Sequence, residues 1–152
     1  MAPFLKNRAM KPGFADIYSS HLYFKELLRI RKSTPLFRLQ TGQEVRERVK
    51  FYNTGPNQLP AFIVMIILDQ QGRTLDSQNK SVVVLFNADK IEKRIALLDY
   101  ADIPLELHPV LKHSCADLIV SQSRYDSVTG SFIIPPRTTA VFLERRSPRA
   151  ME

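Results

Sequence analysis

Apolar positions along this chain follow two different periods. From Ile17 to about Lys32 they recur at helical spacing: Ile17, Phe24, Leu27 and Leu28 fall on one face, flanked by Tyr23 and Ile30. Lys25, Arg29 and Lys32 lie opposite, on the side expected to face water. Asp16 is the expected N-cap, and the Thr34-Pro35 step, which disfavours helix at Thr34, is the expected stop. Residues 1–15, with Pro3, Pro12 and Gly13, show no period and read as a loop. No other segment reads as a helix.

Beyond this helix the period falls to two. In "VRERVKF" Val45, Val49 and Phe51 alternate with Arg46, Arg48 and Lys50, the pattern of a half-buried strand. The turn cluster "YNTGPNQLP" leads into "AFIVMIIL", an apolar run with both sides buried. The polar "DQQGRTLDSQNK" separates it from a second such strand, "SVVVLFNA". Shorter strands are expected at Arg94–Leu97, Leu105–His108 and Leu118–Gln122. After the turn "DSVTG", "SFIIPPRTTAVFLE" reads as a closing hairpin. There Phe132 and Ile134 face the core before the double proline, and Val141 and Leu143 after it. Pro135 and Pro136 cannot donate ladder hydrogen bonds, so they belong at a strand end or sheet edge.

Short strands with turns between them predict a mainly β fold, an antiparallel sandwich preceded by one amphipathic helix. The helix raises a question. Burying a large apolar side chain contributes about 1.5–3 kcal/mol, so four left in water would forfeit about 6–12 kcal/mol. Either the stripe packs on the sandwich, or its partner lies outside these 152 residues.

Composition narrows the class. At 152 residues and 44% hydrophobic, one domain with a sizeable core is expected. One cysteine, Cys115, excludes an intramolecular disulfide. No apolar run approaches the roughly 20 residues of a membrane helix. The start, "MAPFLKNRAM", lacks a signal-peptide core, which reads as cytoplasmic for the chain as given. The net charge of +7 resides entirely in residues 1–50, with 11 basic and 4 acidic groups, while the remainder balances. That distribution does not form the basic surface with interleaved aromatics that nucleic acid requires. Arg46, Arg48 and Lys50 read as one solvated strand face rather than a phosphate contact.

Catalytic and binding candidates are few. His108, His113 and Cys115 lie close in sequence, but Pro109 intervenes and no fourth ligand is suitably spaced for a metal. Cys115 in "HSCAD" has His113 two residues away but no nucleophile signature. Asp99, Asp102 and Glu106 could supply a glycosidic acid/base pair, against the plainer reading of solvated loop carboxylates. The tyrosines at 18, 23, 52, 100 and 125 are scattered and there is no tryptophan, which weakens an aromatic platform for sugars. The five glycines form no phosphate-binding loop, and no cofactor is expected.

The run "YFKELLRIRKSTPLFRL", Tyr23–Leu39, resembles the last barrel helix of the pullulanase-type α-1,6-glucosidases, the debranching enzymes of starch and glycogen that include limit dextrinases. The resemblance continues in order through "RVKFYNTGPNQLPAFIVM", "SVVVLFNA", "LELHPV" and "YDSVTGSFIIPPRTTAVF". One departure is Ala61, where relatives commonly carry glycine.

The resemblance implies a (β/α)₈ barrel with a C-terminal antiparallel sandwich packed against it. Residues 1–42 would then be the final loop and helix of that barrel, 43–144 the sandwich, and 145–152 a disordered tail. Ile17, Phe24, Leu27 and Leu28 would dock on the barrel. The family's catalytic carboxylates follow earlier barrel strands, so no catalytic, cofactor or metal residue carries over and the chain alone is expected to be inactive. The alternative is an independent α-glucan-binding sandwich.

Overall fold

The computed structural model describes Asn7, residues 10–69 and residues 73–147. The helix α1 spans Phe14–Ser33. A short 3-10 turn, Pro35–Arg38, leads to α2 at Gly42–Arg48. Then come β1 (Val49–Tyr52), β2 (Phe62–Leu68), β3 (Asn79–Asn87), β4 (Lys93–Ala96) and β5 (Leu105–Leu107). A single helical turn, α3 (Pro109–Lys112), precedes β6 (Arg124–Asp126), β7 (Ser131–Ile134) and β8 (Thr138–Arg145).

The strands form two antiparallel sheets, one ordered β1-β2-β3-β8-β5 and the other β4-β7-β6. This is the expected mainly β architecture behind an N-terminal helix. Phe132 on β7 and Phe142 on β8 face each other across the sheets, ring centroids 5.3 Å apart, and Tyr125 on β6 packs 4.7 Å from Phe132. Val64, Leu85 and Ala140, paired across β2, β3 and β8, complete this core with none of their surface exposed.

The closing strands are not a hairpin. β7 pairs with β4 and β6, while β8 pairs with β3 and β5 in the other sheet. The prolines mark the corner between the sheets, because a segment without N–H donors cannot extend either ladder. Asn87 holds that corner: its side-chain amide donates to the carbonyls of Ile134 at 3.1 Å and Pro135 at 2.8 Å.

Three local expectations change. The alternation in "VRERVKF" belongs mostly to α2, and only from Val49 onward is the chain a strand. Thr41 and Glu44 form a reciprocal capping box, which starts a helix here: the Glu44 N–H donates to Thr41 Oγ1 at 3.1 Å, and the Glu44 carboxylate accepts from the Thr41 N–H. Residues Leu118–Gln122 are not a strand but contain a 3-10 turn, begun by Asp117, whose carboxylate accepts from the N–H groups of Ile119 and Val120. Asp16 is not the N-cap of α1 but its third residue; Gly13 caps, and its N–H donates back to the Asp16 carboxylate at 2.8 Å.

At the far end Arg145 closes β8, and the Arg146 guanidinium donates to Asp69 at 2.7 Å, so the expected tail does not begin at 145. Residues 148–152 of that expectation, and much of the expected N-terminal loop, lie outside the described residues.

Candidate functional site

Two opposite sides of α1 have different fates. On the inner side Ile30 is buried and Glu26 is nearly so. The Glu26 carboxylate accepts hydrogen bonds from Ser114 Oγ at 2.7 Å and from the Cys115 N–H at 3.0 Å. At the end of the helix Ser33 Oγ meets His108 Nε2 at 3.0 Å, and Thr34 Oγ1 donates to Asp76. These bonds fix the helix to the sandwich along one line. The expected stripe lies on the other side and stays open: Ile17 is 57% exposed, Phe24 60%, Leu27 38% and Leu28 48%. Among the described residues the stripe therefore stays largely uncovered.

The open apolar surface continues onto the sheet. In the five-stranded sheet, side chains of directly paired residues share a face. Phe51, Met65, Val84 and Val141 form one such row, and Ile63, Phe86 and Thr139 the next. This is the face away from β7. Leu27, Ile30 and Phe37 meet Met65, Val84, Phe86 and Val141 around a groove of about 280 Å³. Phe51, Ile63 and Phe86 remain exposed beside it. Helix and sheet thus present apolar side chains side by side around this groove.

The apolar runs "AFIVMIIL" and "SVVVLFNA" carried the signal for the sheet part of this face. Strands apolar on both sides need cover on both sides. One side is covered by β7 and its neighbours, and the other only in part by α1.

The chemical candidates are placed otherwise. His108 is buried with both ring nitrogens occupied: the Val110 N–H donates to Nδ1 at 3.2 Å, and Nε2 faces Ser33. Burial, with the nearby Arg145 charge, pushes its pKa down to about 4, so it is neutral at physiological pH. Exposed Cys115 has its N–H bound to Glu26. Among the described residues no group of three or more His, Cys, Asp or Glu side chains is placed to hold a metal ion.

Asp99, Asp102 and Glu106 are each exposed. Glu106 pairs with Lys112 at 3.4 Å across the surface, and Asp102 occupies a left-handed turn position at φ 61°. Tyr100 is buried, and burial raises its pKa well above the ordinary tyrosine value. Tyr52 packs edge-on against it at 6.3 Å, and the Tyr125 hydroxyl donates to the carbonyls of Tyr100 and Ile103. These three rings serve the core rather than a sugar platform.

The basic trio also separates. Arg48 is fully buried and pairs with Asp69, so only Arg46 and Lys50 of the three face water.

Residues 1–145 match the family model described as alpha-1,6-glucosidases, pullulanase-type, C-terminal. Chloroplastic Pullulanase 1 of Arabidopsis thaliana is 44% identical over 150 residues, which are 95% of this chain but 15% of that protein. The crystal structure of PulA from Klebsiella oxytoca superposes with a TM-score of 0.80 at 30% identity, over 91% of this chain and 13% of that one. Apo pullulanase from Klebsiella pneumoniae gives 0.79 at 32% identity, over 90% of this chain and 15% of that one. Family model, relative and solved structures converge: the chain belongs to the C-terminal domain family of pullulanase-type α-1,6-glucosidases.

Proposed function

We propose that this chain is the non-catalytic C-terminal part of a debranching enzyme and that its open apolar face docks on the catalytic barrel. The whole polypeptide would hydrolyse α-1,6-glucosidic branch linkages in starch, glycogen or pullulan. In it, the role of residues 1–42 is to complete the barrel with its last helix, and that of the sandwich is to hold this helix in place.

One observation carries the reading. α1 is fastened to the sandwich by Glu26, Ile30, Ser33 and Thr34, yet leaves Phe24, Leu27 and Leu28 exposed, with Leu27 in the same groove as Phe86. A helix gripped along one line and bare along an apolar stripe is built to be sandwiched between two bodies. Each such side chain gains about 1.5–3 kcal/mol when a partner buries it. That the chain spans only about 15% of the Arabidopsis relative leaves ample polypeptide to supply that partner.

The test uses a Phe24→Ser/Leu28→Ser double variant of the isolated chain. Thermal unfolding should be unchanged within about 0.5 kcal/mol, as for other exposed sites, and sedimentation should show less self-association. A large loss of stability would place the stripe inside the fold and overturn the reading. Turnover of pullulan by the purified chain, abolished by substituting Asp99, Asp102 and Glu106, would overturn it as well.

A further inference from the structure

The groove between α1 and the outer sheet face has one charged residue in its lining, Arg31. The rest is apolar except Thr139. Arg31 lies one turn beyond Leu27 and next to Ile30 on the helix, and it is exposed. Among the described residues no carboxylate lies within ion-pair distance of it, as for many surface cations here, but Arg31 is the one that lines the apolar groove. In the open groove this arrangement costs little, since the aliphatic stem covers apolar surface and the guanidinium stays hydrated. Its place in the last turn of α1 is also favourable to the helix dipole.

Docking changes the balance. A surface that covers Leu27 and Phe86 also strips water from the guanidinium, and a buried, unpaired charge is strongly unfavourable. Only an acceptor supplied from the other side relieves that cost, and a carboxylate does so best because it can take two guanidinium N–H donors at once. We infer that the body covering this face, the remaining part of the same polypeptide, presents an aspartate or glutamate that seats on the Arg31 guanidinium inside an otherwise apolar contact. This rests on the docking reading above and adds to it a charged anchor that fixes how the two bodies are aligned.

The experiment uses full-length Arabidopsis pullulanase carrying this chain in place of its matching C-terminal segment. Arg31→Met and Arg31→Glu should each lower its unfolding midpoint by several degrees, Arg31→Glu the more, while Arg31→Lys retains most of it. The same substitutions should leave the midpoint of the isolated chain unmoved. Carbodiimide treatment of the Arg31→Lys protein should form an amide between the side chain at position 31 and an Asp or Glu outside this chain, located by mass spectrometry. If Arg31→Glu melts with its parent and no such cross-link forms, while Phe24→Ser/Leu28→Ser still destabilises the full-length protein, the anchor is refuted and the docking reading survives. If both sets of variants are silent, both fail.

Discussion

Arg48 and Asp69 meet at 2.8 Å with neither side chain exposed. The guanidinium also donates to the Arg73 carbonyl at 2.6 Å, and the carboxylate accepts from the Leu75 and Asp76 N–H groups and from Arg146. This one pair joins the end of α2, the loop after β2 and the residue following β8. A neighbouring carboxylate, Asp76, extends it to Thr34 at the foot of α1.

Removing one partner of such a pair leaves a buried charge without its counterpart. Arg48→Met should therefore destabilise the isolated chain by about 3–5 kcal/mol in urea unfolding. Desolvation pushes the Asp69 carboxyl upward, but the N–H donors of Leu75 and Asp76 and the Arg146 charge outweigh it, and its pKa sits below the ordinary 3.8. The folded form thus binds its proton less readily than the unfolded form. The stabilisation is present above pH 3.8 and should be lost as pH falls through the lower folded value.

His108 gives a second acid response at higher pH. The Val110 N–H points at Nδ1, so the neutral ring carries its proton on Nε2, donating to Ser33 Oγ, which in turn donates to the Ile30 carbonyl. Protonating Nδ1 would set two donors against each other in a buried site. With a folded pKa of about 4 against an ordinary 6.5, the unfolded form takes up the proton first. Stability should be full above pH 6.5 and fall, by at most on the order of 3 kcal/mol, as pH drops from 6.5 to 4. Unfolding titrations of His108→Gln should lack this segment of the pH profile; an unchanged profile would exclude His108 as its source.

Two left-handed backbone positions predict opposite signs. Gly130 has φ 64°, and a Cβ there would stand 2.3 Å from the Leu97 carbonyl oxygen. Gly130→Ala should cost about 2 kcal/mol or more, from the backbone strain and the clash together. Ala61 has φ 57° and already carries a Cβ. Ala61→Gly should raise stability by about 0.5–1 kcal/mol, the relief of left-handed strain exceeding the added chain entropy. Equilibrium unfolding of the two variants measures both.

The helix and most strands were legible because period and turn residues speak for local structure. What misled was a pattern that satisfies two periods. Val45, Arg46, Arg48 and Val49 alternate like a strand, but Thr41 and Glu44 at capping-box spacing had marked a helix start, and the buried partner of Arg48 lies 21 residues away at Asp69. The assignment of β7 and β8 to different sheets was not legible. Each carries a short continuous apolar run, Phe132–Ile134 in β7 and Ala140–Leu143 in β8, that does not say which strand it pairs with. Pairing depends on distant neighbours, although Pro135 and Pro136 signalled the break in the ladder. In the candidate site the helix half was legible from its stripe. The sheet half, Phe51, Ile63 and Phe86, became visible only with the register that sets them side by side.

The most direct test of the docking account is hydroxyl-radical footprinting of Phe24, Leu28 and Phe86. It would compare the isolated chain with the Arabidopsis pullulanase into which it has been grafted. The account expects all three side chains to be oxidised readily in the isolated chain and strongly protected in the full-length protein, with exposed Val128 on the β6–β7 turn unchanged between the two. Equal oxidation of Phe24, Leu28 and Phe86 in both would contradict it.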